Sequence, residues 1–160
     1  MSLLFQVTKD TARTKTAIDS LRPGQKLASL YIADQIIEGD LDLRGVRVTG
    51  DACLENLVIH GDLIAAESHW FREVRWHNVR VDGDIKLSAT RFDKVLLVKQ
   101  VSSASVALDS SEFYSDVILD SVAVEESIDF HSSQFRSGLE IQKTIVGGEV
   151  NLDSSVIAGW

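Results

Sequence analysis

From residue 30 onward an apolar-x-apolar pair recurs at a nearly constant step. It reads Leu30/Ile32, Leu41/Leu43, Ala52/Leu54, Leu63/Ala65, Val74/Trp76 and Ile85/Leu87. It continues as Leu96/Val98, Val106/Leu108, Val117/Leu119, Ile128/Phe130, Leu139/Ile141 and Val150/Leu152. The step is eleven residues except between Leu96 and Val106, where it is ten, so one residue is missing somewhere between 95 and 105. Each unit has a second pair, five and seven positions after its first apolar residue, such as Val46/Val48, Leu57/Ile59, Val79/Val81, Val122/Val124 and Thr144/Val146. Alternation of period two marks short strands with one buried face. Two such strands in every eleven residues leave no length for a helix, and their regularity is that of a chain winding into stacked coils.

The second pair sets the coil size. In alternate units it is small-x-aromatic (Ser68/Trp70, Thr90/Phe92, Ser111/Phe113, Ser133/Phe135), and in the units between it is aliphatic, so the true period is 22. Trp70, Phe92, Phe113 and Phe135 are predicted to form one inward column, neighbours about one strand spacing (~4.8 Å) apart. The small residues beside them are expected to leave room for the rings. Gly39-Asp40, Gly50-Asp51, Gly61-Asp62 and Gly83-Asp84 mark corners: glycine permits a positive φ, and aspartate bonds nearby backbone amides. The one proline, Pro23, lies ahead of the repeat. The fold class is therefore all-β: a single-stranded parallel β-helix of about six coils over residues 30–160, right-handed by the general bias of parallel connections. Residues 1–29 form a capping segment, with a short helix over residues 10–22 ended by Pro23-Gly24. Terminal repeats of a solenoid need a cover. A homodimer or end-to-end contact through residues 139–160 is expected to supply it, the alternative being Trp160 folded over the last coil.

The runs Ser88-Ala89-Thr90-Arg91-Phe92, Ser110-Ser111-Glu112-Phe113 and Ser132-Ser133-Gln134-Phe135, with Gly39-Asp40-Leu41-Asp42-Leu43-Arg44-Gly45-Val46, resemble the pattern of pentapeptide-repeat proteins. The resemblance spans about residues 30–157. It implies a right-handed, four-sided β-helix, and several family members act as acidic DNA mimics that bind DNA gyrase as dimers. The chain departs from the family in its eleven-residue unit and in the Val or Ile at many central positions. Three-sided β-helices of the polysaccharide-lyase type use coils of similar length, but the half-coil symmetry here argues against that form.

At 160 residues the chain is one domain, with a net charge of −8. Residues 1–29 carry five bases and two acids, whereas residues 101–160 carry ten acids against Arg136 and Lys143. Such a surface repels phosphates, so direct nucleic-acid binding is disfavoured and a protein partner is expected. No apolar run is long enough to span a membrane, MSLLFQV lacks the features of a signal peptide, and Cys53 is the only cysteine. A cytoplasmic location follows as the expectation.

Asp40, Asp62 and Asp84 stand 22 residues apart at equivalent corners; they are expected to cap turns, with cation binding or acid–base work as the rarer use of such a column. The stretch from His69 to Arg80 is the most unusual. Its register points His69, Phe71, Arg75, His77 and Arg80 outward as a basic aromatic patch for an anion or acidic partner, unless the arginines pair across coils with Glu55 and Asp82. His60, His69, His77 and His131 do not share one face, which disfavours a zinc site. Cys53 stacks on Arg75, which would lower its thiol pKa, but no histidine partner is defined. No nucleophile elbow, phosphate loop, dinucleotide fingerprint or zinc-protease motif is present, so no catalytic residue, metal or cofactor is expected.

The function expected is a non-catalytic scaffold or protein-interaction module. Its interaction surface would be an acidic face of Asp109, Glu112, Asp116, Asp120, Glu125 and Asp129, in one version mimicking DNA toward a basic partner. The alternatives are a self-assembling structural element and a small carbohydrate-active β-helix.

Overall fold

The computed structural model describes residues 20–158 of the chain, together with the backbone of residues 3–7. Among these residues there is no helix, and the strands pair in parallel. β1 (Leu3–Val7) precedes the first coil, which holds β2 (Lys26–Ile37), β3 (Leu41–Asp42) and β4 (Arg47–Val48). The next coil holds β5 (Ala52–Ile59), β6 (Leu63–Ile64) and β7 (His69–Trp70). Then follow β8 (Val74–Val81), β9 (Ile85–Lys86), β10 (Arg91–Phe92), β11 (Leu96–Ser103), β12 (Val106–Ala107) and β13 (Glu112–Phe113). In the last two coils the long strand is split. β14 (Val117–Asp120) and β15 (Ala123–Val124) precede β16 (Ile128–Asp129) and β17 (Gln134–Phe135). β18 (Leu139–Gln142) and β19 (Ile145–Val146) precede β20 (Val150–Asn151) and β21 (Val156–Ile157). The result is a right-handed parallel β-solenoid of about six coils.

Residues 22 apart lie over one another: Leu54 pairs with Trp76, Trp70 with Phe92 and Val106 with Ile128. The missing residue can now be placed. Ser102 still pairs with Arg80, 22 back, whereas Val106 pairs with Ile85, only 21 back. The deletion therefore falls at the Ala104-Ser105 corner, where the coils above have His60-Gly61-Asp62 and Asp82-Gly83-Asp84.

Each coil sends four pairs of side chains inward, as in Ala52/Leu54, Leu57/Ile59, Leu63/Ala65 and Ser68/Trp70, all buried. The aromatic column forms as the period requires. Ring centroids are 6.4 Å apart for Trp70–Phe92, 5.3 Å for Phe92–Phe113 and 4.7 Å for Phe113–Phe135, with interplanar angles of 12° or less. Phe130 meets Phe113 and Phe135 edge-on. The small residues beside the rings do more than leave room. Ser111 Oγ donates to the Leu87 carbonyl (3.0 Å) and accepts from the Thr90 amide (3.2 Å), and Ser133 Oγ repeats this with Leu108 (2.7 Å) and Ser111 (3.1 Å). These hydroxyls form a hydrogen-bonded ladder inside the core, so the polar groups beside the rings are matched.

The corners differ from the sequence expectation. The left-handed conformation is taken once per half-coil by Asp34, Gly45, Asn56, Glu67, Asn78, Ala89, Gln100, Ser110, Ser121, Ser132, Lys143 and Ser154, with φ from 49° to 65°. Gly50, Gly61 and Gly83 are not among them; they are glycine for want of space. A Cβ on Gly61 or Gly83 would stand 2.1 Å from a carboxylate oxygen of Asp40 or Asp62, and on Gly50 it would stand 2.1 Å from the Ala28 carbonyl oxygen. A left-handed L-residue costs roughly 1–2 kcal/mol. Ala89→Gly should therefore stabilise the fold by about 1 kcal/mol and Ala89→Val destabilise it, as read by the thermal midpoints.

β1 pairs in parallel with Leu27–Ile32 of β2 and so lies against the edge of the first coil. The solenoid begins at Lys26, with Leu27 already buried. Of the helix expected over residues 10–22, residues 10–19 lie outside the described residues, and residues 20–22 are not helical. Trp160 also lies outside them.

Candidate functional sites

The aspartate column is structural. Asp40 Oδ1 accepts the Asp62 amide at 2.8 Å, Asp62 Oδ1 accepts the Asp84 amide at 2.9 Å, and Asp84 Oδ1 accepts the Ser105 hydroxyl at 2.7 Å. Each carboxylate thus ties down the next coil and not its own turn, which is why glycine must precede Asp62 and Asp84. Lys86 Nζ adds a 2.6 Å bond to Asp62; this ammonium and the Asp84 amide hold the Asp62 carboxyl below the usual carboxylate range. Asp116 repeats the motif on another edge. The Ser137 hydroxyl and the Gly138 amide (3.0 Å) bond its carboxylate and lower its pKa. Among the described residues no group of three or more His, Cys, Asp or Glu is placed to hold a metal ion.

The stretch from His69 to Arg80 is divided between two strand stacks. His69 and Phe71 belong with β7, their rings stacked at 3.7 Å. Arg75 and His77 lie on β8 before the left-handed corner at Asn78, and Arg80 lies beyond it. The arginines do pair with acids, but along the strand: Arg75 Nε to Glu73 and Arg80 Nε to Asp82, each 2.8 Å, with Arg44–Asp42 and Arg91–Asp93 alike. Residues i and i+2 of a strand point the same way, so this partner is nearer than one across coils. Of the two acids expected as partners, Asp82 serves Arg80 and also sits 2.7 Å from His60 Nδ1, while Glu55 accepts from Tyr31 (3.3 Å). The His60 bond leads in lowering the Asp82 pKa. His77 Nε2 lies 2.8 Å from Gln100 Oε1. His69 Nε2 lies 2.9 Å from Asp93 Oδ2; burial pulls the Asp93 carboxyl up, and the bonds from Arg91 and His69 more than offset it.

One group on this side escaped the sequence reading. Arg47 lies over Phe71 at 5.5 Å, while Arg91 and Arg136 lie over Tyr114 at 4.4 and 4.7 Å. Carrying the 22-residue period to outward positions would have found it, since Arg47, His69 and Arg91 are successive partners.

Asp109, Glu112, Asp116, Asp120, Glu125 and Asp129 fall on successive parts of nearly one full coil and therefore encircle the solenoid. They form an acidic belt, not a shared face. Glu112 accepts from Tyr114 (2.7 Å), Asp120 faces Lys99 (3.9 Å) and Asp129 bonds the His131 amide (2.8 Å). Cys53 does stack on Arg75, but burial and then Glu55 push its thiol pKa up against the pull of Arg75. That is opposite to the activation a nucleophilic thiol needs.

A shallow depression of about 400 Å³ opens at the shortened corner, lined by Arg80, Asp82, Ser102, Ala123, Glu125 and Ile145 among others. Asp82 is engaged there by Arg80 and His60.

The last coil is different in kind. Its inward register continues, yet Ile141, Val150, Leu152 and Ile157 are about 40% exposed at the open end, while Ile145 and Val156, stacked on the outward Ala123 and Gln134, stand on the sides at 72% and 59%. β18, β19, β20 and β21 each pair on one side only. No helix among the described residues is long and apolar enough to cross a membrane. No family model, curated protein or solved structure matches the chain.

Proposed function

We propose that this protein is a non-catalytic β-solenoid scaffold that docks other protein chains, and that its last coil docks a second copy of itself. The observation that carries this reading is the apolar end formed by residues 139–158, where four large side chains of the inward register, Ile141, Val150, Leu152 and Ile157, are open beside unpaired strand edges, with Ile145 and Val156 exposed on the flanks. Contiguous exposed apolar surface marks interaction sites, and an open strand edge is a template for further pairing. Light scattering on the eluting chain across concentration should give a particle of twice the chain mass. Ile141→Lys with Leu152→Lys, at inward positions of the open end, should return it to a monomer without altering the fold. Mass rising without limit would favour the self-assembling element, and a wild-type monomer throughout would contradict both.

The acidic belt supports a finer reading of the same module, capture of a basic partner in the manner of pentapeptide-repeat DNA mimics. That capture should weaken steeply with salt, and a salt-insensitive complex would count against it. The single, weakly acidic cysteine is compatible with a cytoplasmic setting.

A further inference from the structure

The side built from β4, β7, β10, β13 and β17 carries a separate inference, independent of the last coil. It is a flat stack of short parallel strands whose outward groups include three arginines, a histidine, Phe71 and Tyr114. Its acids are answered from within the molecule. Asp93 receives Arg91 Nε at 2.7 Å and lies 2.9 Å from His69, and Glu112 receives the Tyr114 hydroxyl at 2.7 Å. Arg91 and His69 are thereby paired, but two further arginines of this side are not. Arg47 and Arg136, with Arg72 at the edge of this side, have no carboxylate within ion-pair distance among the described residues, whereas Arg44, Arg75, Arg80 and Arg91 all do.

Arg47 and Arg136 are moreover laid against aromatic rings. A guanidinium held on a ring face is fixed in place while its donor edge stays open for a bidentate carboxylate. Less freedom is then lost on binding. Arginine and tyrosine are also the residues that dominate binding energy at protein interfaces. Four strand steps separate the strands of Arg47 and Arg136, roughly 19 Å, a span that about six extended residues cover.

We propose that this side docks an acidic, extended segment of a partner protein, its carboxylates held by Arg47, Arg72 and Arg136. The rest of the molecule, at a net charge of −8 for the whole chain, repels such a segment and confines it to this side.

The probe is a labelled short peptide alternating Glu and Ser, titrated against the full chain by fluorescence anisotropy at low and high salt. Saturable binding is expected, weaker at high salt. Arg47→Gln with Arg72→Gln and Arg136→Gln should weaken it by about tenfold or more. Arg44→Gln with Arg75→Gln and Arg80→Gln removes the same charge from other positions and should weaken it by less than about twofold. If the first triple variant proves unstable, Arg136→Gln alone is read, with about threefold loss expected. Absence of saturable binding, equal losses in the two triple variants, no loss on Arg136→Gln, or tighter binding of a thymidine oligonucleotide of matching length would each overturn the proposal, the last in favour of a nucleic acid.

Discussion

Phe113→Ala should destabilise the protein by about 3–5 kcal/mol, measured by denaturant unfolding. Phe113 is fully buried and sits at the centre of the aromatic column, 5.3 Å from Phe92, 4.7 Å from Phe135 and 6.3 Å from the edge-on Phe130. Removing its ring forfeits the transfer energy of a large side chain and three ring contacts at once. The backbone cannot collapse into the gap, because strands above and below hold it in register with Phe92 and Phe135. Phe113→Leu keeps most of the volume and should cost less than about 1.5 kcal/mol. Nearest-neighbour coupling between coils makes the position matter. The same change at Trp70 loses one stacked neighbour instead of two, because Val48 lies above it.

The second large effect is expected at the hydroxyl beside that ring. Ser111→Val keeps the size of Thr90 in the coil above but removes the oxygen that bonds the Thr90 amide and the Leu87 carbonyl. Both groups are then left buried without a partner, at about 1–3 kcal/mol each. Ser111→Thr restores the hydroxyl in a side chain that this column already accommodates. It should stay close to wild type, and the difference between the two variants isolates the hydrogen bonds from volume. If Val and Thr proved equally tolerated, the ladder would have no energetic weight.

The solenoid was legible because its inward positions alternate strictly and change size with a 22-residue period: the rings of Trp70, Phe92, Phe113 and Phe135 cannot be accommodated except in one column. The serine ladder was not legible as chemistry. A small residue beside a ring satisfies the volume argument whether or not its hydroxyl is bonded, and only the three-dimensional structure shows Ser133 reaching Leu108, a full coil and three residues away in sequence yet adjacent in space. The Gly-Asp corners were recognised, but their physics lies between coils. Asp40 binds the amide of Asp62, and the glycine ahead of Asp62 yields space to that carboxylate. The ion pairs likewise follow the strand, as Arg75–Glu73 does, because i and i+2 are already neighbours. β1 had no signature at all, since its five residues lie outside the repeat and pair at a spacing of 24 to 25 instead of 22.

The candidate surfaces were less legible than the core for a related reason. Inward residues must fit their stacked neighbours, whereas outward residues answer only to solvent and to each other. The acidic residues from Asp109 to Asp129 look like one cluster in the sequence, yet a stretch nearly one coil long must wrap around the axis. Arg47, Phe71, Tyr114 and Arg136 look scattered in the sequence, yet one side of the solenoid brings them together.

The central claim is that backbone groups one coil apart in sequence are hydrogen-bonded to each other. Scalar couplings across hydrogen bonds, measured by NMR between amide nitrogens and carbonyl carbons, test it directly. Leu43 N should couple to the Ile64 carbonyl, Leu87 N to Ala107 and Leu108 N to Asp129, matching bonds of 2.6, 2.7 and 2.7 Å. Couplings that instead join residues close in sequence, as hairpins would give, would contradict the stacked coils and every surface built on them.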